Sequence, residues 1–286
     1  MNTVLVLGGG GVVGVAWETG LLAGLCEAGL RPADLTLVVG TSAGSIVGAK
    51  LRGGTLDERP GRAGGPTADD GAESLIDPSR IDRLAVAKIF GAWGGMQGPT
   101  PSVAAEIGEL ARVQQRDREP SWVESIGRTL RLEAWPEPPL LVCAVDTESG
   151  ERRVFDRDCG VSIDRVVAAS SAVPGIFPSV AIDGRIYMDG QVHSSTNADL
   201  LLDREPARAL IAMPTNELNA QALGVHARRC VELEHKQLEA AGWQISLRTP
   251  SADDVAKMGR SLMDPRGVPA AYASGHATGV AWVDTL

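Results

Sequence analysis

The stretch Leu35-Thr36-Leu37-Val38-Val39-Gly40-Thr41-Ser42-Ala43-Gly44 constrains this chain more than any other. Residues 35–39 are apolar or β-branched, the composition of a short buried strand. They run directly into Gly40-Thr41-Ser42-Ala43-Gly44, a G-x-S-x-G pentapeptide, and the following Ser45-Ile46-Val47-Gly48-Ala49-Lys50-Leu51 reads as helix. Strand, tight turn and helix form the context in which this pentapeptide makes a nucleophile elbow. The turn forces Ser42 into a strained backbone conformation. Gly40 and Gly44 are glycine because a Cβ at either place would collide with the neighbouring strand or helix. The Ser42 hydroxyl then stands at the carboxyl edge of a sheet, over a helix N-terminus whose free N–H groups favour developing negative charge.

The N-terminal segment supplies a partner for that elbow. Residues 4–7 read as a first buried strand, followed by Gly8-Gly9-Gly10-Gly11-Val12-Val13-Gly14 and a helix with Trp17, Leu21, Leu22 and Leu25 on one face. Gly29 is placed to end that helix and Pro32 to prevent its continuing. Strand, loop, helix and strand make one βαβ unit, so the first two strands are expected to be parallel neighbours. Gly9-x-Gly11-x-x-Gly14 also fits the dinucleotide-binding pattern, but that pattern needs an acid at the end of the next strand to hold a ribose. Here the next strand ends Val38-Val39-Gly40-Thr41. The remaining use for such a loop is a row of bare backbone N–H groups, able to hold an oxyanion beside Ser42.

The rest of the chain reads as an α/β protein of one domain, residues 1–286, with a helical and loop insertion over 52–135. At 286 residues it is long enough for one deep core, and 44% hydrophobic residues argue against disorder. Residues 52–74 are rich in Gly, Pro and Asp and are expected to form a long mobile loop. Residues 78–133 carry three helical stripes: Ile81, Leu84 and Ile89; Val103, Ile107, Leu110 and Val113; Trp122, Ile126 and Leu130. From their position these helices are candidates to wall or cover the site. Residues 139–146 read as a strand with 153–155 as antiparallel partner. Ser162 is expected to cap a helix through Ile163, Val166 and Val167, and 169–178 is a rigid loop of small residues and prolines. Residues 180–188 form a hairpin around an Asp183-Gly184 turn. The hairpin ends at Asp189-Gly190; on its residues alone, an Asp-Gly after a strand is more simply a turn than a catalytic carboxylate. A strand over 208–213, a helix over 221–241 closed by Gly242, and a last strand over 243–247 follow. The tail from Ala252 is expected to be helical with breaks at Pro265 and Pro269.

Four blocks, in this order, carry a resemblance to the patatin-like phospholipases: Gly9-Gly10-Gly11-Val12-Val13-Gly14, the elbow at Ser42, Ala169-Ser170-Ser171-Ala172-Val173-Pro174-Gly175-Ile176-Phe177-Pro178, and Tyr187-Met188-Asp189-Gly190. Together they span about residues 1–215. The resemblance implies a three-layer α/β/α fold with a mostly parallel sheet. It also implies a Ser–Asp dyad, with Ser42 as nucleophile and Asp189 as base, that hydrolyses carboxylic esters of lipids. The oxyanion hole would be Gly9, Gly10 and Gly11, with Gly10 and Gly11 the main donors, and Asn197 matches an asparagine common after the aspartate. Three positions depart from the usual pattern: Val13 replaces a loop cation, Gln191 a small residue, and Asp199 a proline.

Two other functions are weighed against this one. An α/β-hydrolase triad would need a histidine from His193, His226, His235 or His276. His226 and His235 look solvent-facing on a helix, His193 is a loop residue, and His276 alone has a late, loop-like setting. Ser42, after only the second strand, comes too early for that fold. The other alternative, a nucleotide binder, lacks its acid. A formal net charge of −9 disfavours nucleic acid and gives no pull toward an anionic membrane. Cys26, Cys143, Cys159 and Cys230 show no metal-ligand spacing, and Cys26 and Cys143, in apolar runs, are expected to be buried thiols. No cofactor and no metal is expected. The partner is a lipid or small ester, with transient membrane-surface contact. The absence of a signal-like N-terminus or membrane-length apolar run points to the cytoplasm.

Overall fold

The computed structural model describes residues 2–56, 81–113 and 116–283. Its strands are β1 (Thr3–Leu7), β2 (Leu35–Thr41), β3 (Leu140–Asp146), β4 (Arg152–Phe155), β5 (Val180–Ile182), β6 (Arg185–Asp189), β7 (Arg208–Ala212) and β8 (Gln244–Arg248). The helices are α1 (Gly11–Glu27), α2 (Ala43–Arg52), α3 (Arg83–Gly95), α4 (Pro101–Arg112), α5 (Glu119–Leu130), α6 (Ile163–Ser170), α7 (Glu217–Ala240), α8 (Ala252–Met258) and α9 (Val268–Val283).

All the strands join one sheet in the order β5-β6-β3-β2-β1-β7-β8, with β4 beside β3. Strands β3, β2, β1, β7 and β8 are mutually parallel, whereas β4 and β6 are antiparallel to β3. Strand alternation sorts the side chains onto two faces. Leu5, Leu7, Val38, Val142 and Leu210 join the core formed with α1, α2, α5, α6 and α9. Val4, Val6, Leu37, Val39 and Ile211 join a second core with Leu238 of α7. Val145 and Met188 pack with Ile89 and Trp93 of α3 and Ile107 of α4. The result is a three-layer α/β/α sandwich with a mixed, mostly parallel sheet.

The register of β3 decides where the chemistry can be. Cys143 pairs with Thr41 of β2 and with Val154 of β4, while Ala144 pairs with Asp189 of β6 and with Arg153 of β4. Because β4 holds one edge of β3 from Val142 to Val145, β2 and β6 share the other. They run toward each other along it and meet at Cys143 and Ala144, so the last residues of both strands lie end to end.

Several expectations change. Helix α1 was expected to bury one face. Instead it is buried nearly all round, because α9 covers the side away from the sheet. A Cβ on Gly20 would drive into the Tyr272 carbonyl of α9, and one on Gly275 into the Trp17 carbonyl of α1, so the glycines set this close approach. Pro269 lies in the first turn of α9, where proline is tolerated, and so does not break the tail helix. Helix α7 starts at Glu217, earlier than 221, because Asn216 caps it; an irregular Gln221 (φ 45°, ψ −115°) follows. Ser162 stands at the N-cap position of α6 but its side chain makes no capping bond, and residues 169 and 170 belong to α6 and not to the loop after it. Leu84 and Val113 are exposed, so the stripes of α3 and α4 are narrower than expected. Cys26 is half-buried, whereas Cys143 is buried. The mobile loop expected over 52–74 lies outside the described residues from position 57 onward. Its first residue, Arg52, still belongs to α2 and donates from its guanidinium to the Leu35 carbonyl at 2.9 Å.

Candidate active site

Ser42 sits between β2 and α2 at φ 52°, ψ −118°, a left-handed conformation that costs a non-glycine residue on the order of 1–3 kcal/mol. The surroundings hold it there. Its N–H donates to Ser170 Oγ at 3.0 Å, and its carbonyl accepts from Ser45 Oγ at 2.6 Å and Ser171 Oγ at 3.3 Å. Gly44 donates its N–H to the Gly8 carbonyl at 3.0 Å, and a Cβ there would drive into the Leu7 carbonyl. A Cβ on Gly40 would lie 2.7 Å from Ser45 Cα of α2. Both glycines of the elbow are therefore demanded by close approach. Ser170 and Ser171, part of the block that carried the resemblance, had no individual role in the sequence; here they fasten the elbow.

Asp189 ends β6 directly across the β2–β6 junction. Ser42 Oγ donates to Asp189 Oδ2 at 2.7 Å, and Asp189 Oδ1 accepts the Gln191 N–H at 2.8 Å. The carboxyl is wholly buried, and burial pushes its pKa up to about 7, against the two hydrogen bonds that lower it. A carboxylate near 7 is a far better proton acceptor at neutral pH than one near 4.

The glycine loop lies beside the elbow because Leu7 of β1 is in register with Gly40 of β2. Gly9 donates its N–H to the Ser195 carbonyl at 2.9 Å, so that donor is already engaged. Val13 donates to the Leu262 carbonyl at 3.0 Å, and Gly14 to Gly10. Among the described residues, the N–H groups of Gly10, Gly11 and Val12 have no protein acceptor. They open α1, where the helix dipole favours negative charge.

The turn after Asp189 is held from below. Asn197 (φ 52°) donates to Thr41 Oγ1 at 3.0 Å and to the Ser194 carbonyl at 2.7 Å, and its side-chain carbonyl accepts from Arg152 at 3.1 Å. Arg152 also makes a two-pronged pair with Asp199 at 2.6 and 2.9 Å. The acid that stands in place of a proline thus serves as the counter-charge of a partly buried arginine. Glu234 of α7 is buried beneath Ser194 and Thr196, accepting from both hydroxyls, and burial raises it to about 7. These contacts couple positions far apart in the chain, which is why Arg152 and Glu234 gave no local signal.

None of the four histidines bonds to Ser42 or Asp189. His226, expected to face solvent, is buried in α7 beside Cys230. His193 lies just after the turn, its pKa lowered to about 4 by burial and by Arg152. His235 pairs with Glu239 at 3.2 Å. His276 lies within α9 and not in a loop, and meets Glu27 of α1 at 2.8 Å. Replacing any one histidine by alanine is expected to leave kcat within about tenfold, measured below the melting transition, since only packing and pairs remote from Ser42 and Asp189 are lost. A hundredfold loss in any of them would bring histidine into the chemistry.

Helices from the 83–130 region pack against the segments on either side of the β5–β6 hairpin. Ile89 and Trp93 of α3 pack with Val192 in the turn after Asp189. A Cβ on Gly175 would lie 2.9 Å from Val86 Cγ2. Trp122 of α5 stacks on Phe177 at 4.2 Å between ring centroids and donates to the Ala168 carbonyl. Among the described residues no helix is long and apolar enough to cross a membrane, and no group of three or more metal-ligating side chains is assembled.

A family model described as patatin-like phospholipase matches residues 5–202. Among solved structures, VipD from Legionella pneumophila is similar, with a TM-score of 0.50 and 15% identity, covering 99% of this chain and 66% of that one. The type III effector protein ExoU is matched with a TM-score of 0.43 and 17% identity, covering 99% of this chain and 53% of that one. The chain therefore spans less than two thirds of the length of each. The first likeness concerns the fold.

Proposed function

The chain belongs to the patatin-like phospholipase family, and from that membership we propose that it is a serine acyl hydrolase cleaving carboxylic esters of lipids through a Ser42–Asp189 dyad. The observation that carries the proposal is the 2.7 Å hydrogen bond from a strained, buried Ser42 Oγ to a buried carboxylate. The N–H groups of Gly10 and Gly11 are the oxyanion donors in this reading, and Gly9 shapes the loop.

In the first half-reaction Ser42 Oγ attacks the ester carbonyl carbon while its proton passes to Asp189 Oδ2. The carbonyl oxygen becomes an oxyanion held by the loop N–H groups, each such donor contributing about 10²–10³ in rate. Collapse breaks the carbon–oxygen bond to the alcohol, which leaves with the proton from Asp189. Water then attacks the acyl–Ser42 ester, gives its proton to Asp189, and the acid departs as Ser42 recovers the proton. General-base help of this kind contributes ~10²–10⁴. The described helices act as one domain in this reading, with α3 and α5 walling the site. Contact with a lipid surface is transient and apolar in origin, since a chain of net charge −9 is not drawn to anionic lipid.

The experiment is hydrolysis of p-nitrophenyl esters of rising chain length, with and without phospholipid vesicles, alongside labelling by a fluorophosphonate. Saturable turnover with a preference among chain lengths, and stoichiometric labelling, are expected. No turnover of any ester together with no labelling would overturn the proposal.

A further inference from the structure

The side chain at position 191, where the resemblance leads one to expect a small residue, spans two functional loops. Gln191 is the second residue after Asp189 and only 8% exposed. Its backbone N–H donates to Asp189 Oδ1 at 2.8 Å. Its side-chain Nε2 donates to Thr215 Oγ1 at 3.2 Å, and Thr215 Oγ1 donates in turn to the Gly9 carbonyl at 2.7 Å. Because the threonine proton is given to a carbonyl, which cannot donate, the hydroxyl must accept from the amide; this fixes the amide's orientation. The same side chain lies flat against Gly9, where a Cβ would overlap Gln191 Oε1. One residue thus joins the turn after β6, the segment after β7 and the loop after β1.

We propose that Gln191 is a positioning residue that locks the glycine loop to the base-bearing turn through Thr215, so that the N–H groups of Gly10 and Gly11 are held in a constant relation to Ser42 and Asp189. Without it, Gly9 would keep its N–H bond to Ser195 but lose the packing on its α-carbon and the orientation of the threonine that holds its carbonyl. Four successive glycines are intrinsically loose, and oxyanion donors act only when pre-aimed. The kinetic part of this inference rests on the acyl-transfer reading; the structural part does not.

The test uses the full chain with Gln191→Ala, Thr215→Val and the double variant. Hydrogen exchange of the peptide over residues 8–14 is expected to quicken about tenfold or more in each single variant. The double should be no faster than the singles, since both break the same relay. Exchange over β3 should stay as in wild type, which separates local loosening from general destabilisation. With an ester substrate kcat is expected to fall about 10- to 100-fold with KM within about threefold, the pattern of a displaced transition-state contact. Unchanged exchange over 8–14 in Gln191→Ala, or effects that simply add in the double variant, would overturn the coupling. Quickened, non-additive exchange in a protein whose wild type neither turns over esters nor takes the fluorophosphonate would uphold the coupling and overturn the acyl-transfer reading instead.

Discussion

Ser42→Ala is expected to abolish fluorophosphonate labelling and to lower ester hydrolysis by about 10⁴–10⁶-fold, the scale seen when a serine nucleophile is removed. The fold should survive. Alanine at position 42 inherits the same left-handed strain as serine, and the backbone bonds to Ser170, Ser45 and Ser171 do not use the hydroxyl. The lost hydrogen bond removes one of the influences that lower the Asp189 pKa, so the buried carboxyl simply holds its proton more firmly. A melting temperature within a few degrees of wild type, together with lost activity, separates chemistry from folding. Labelling that persists at another residue of the variant would move the nucleophile elsewhere.

The second large effect belongs to Asp189→Asn. The amide can keep the bond from the Gln191 N–H, but it offers Ser42 a donor where an acceptor is needed, so the hydroxyl proton has nowhere to go. A loss of ~10²–10⁴ in kcat is expected. In wild type the base must be ionised, so kcat/KM should rise through about pH 7, where burial places the Asp189 carboxyl, and then level. The residual activity of the variant should lack that step. Stability should respond oppositely. The folded pKa stands above the ordinary value of 3.8, so the folded state holds the proton more tightly than the unfolded chain. Its stabilising contribution is complete at low pH and is lost as pH rises through about 7. Asparagine carries no such penalty. Relative to wild type, the variant should therefore be more stable at pH 8 than at pH 5, by on the order of a few kcal/mol in urea unfolding. A variant that retains its activity would remove Asp189 from the role of base, and a wild-type step near pH 4 would mean that burial does not raise its pKa.

The resulting enzyme would place strain and buried charge together at one junction of the sheet. Ser42, Asn197 and the buried carboxyls of Asp189 and Glu234 all lie within or beneath it. Each costs stability locally, and the packing of α3, α6 and α7 around them is what keeps them in place.

Short-range patterns carried much of this architecture. A hydrophobic run followed by G-x-S-x-G and a helix-forming run reads as strand, elbow and helix, and the glycines at 40 and 44 follow from the close contacts of such a turn. The βαβ unit, the Asp183-Gly184 hairpin and the parallel pairing of β1 with β2 follow from periodicity and chain handedness, both local constraints. The resemblance in four blocks singled out Asp189, which its own neighbours would have left as a turn residue. What the sequence could not decide is every relation between segments far apart. Ser42 and Asp189 meet because β2 and β6 share one edge of β3, a register that no local pattern encodes. The engagement of Gly9 with Ser195 and of Val13 with Leu262 separates occupied N–H groups from free ones, and only tertiary hydrogen bonding makes that distinction. His226 has the surroundings of an exposed helical residue, yet α7 turns it inward. His276 looks like loop, yet α1 gives α9 a surface on which to stay helical. Gln191 and Asp199 read as departures in a motif, but become a clasp and a counter-charge only once Thr215, Gly9 and Arg152 are brought beside them. Backbone preference and periodicity act over a few residues, so they are written in the sequence. Burial, register and the pairing of polar groups depend on what the rest of the chain places opposite, and so belong to the fold.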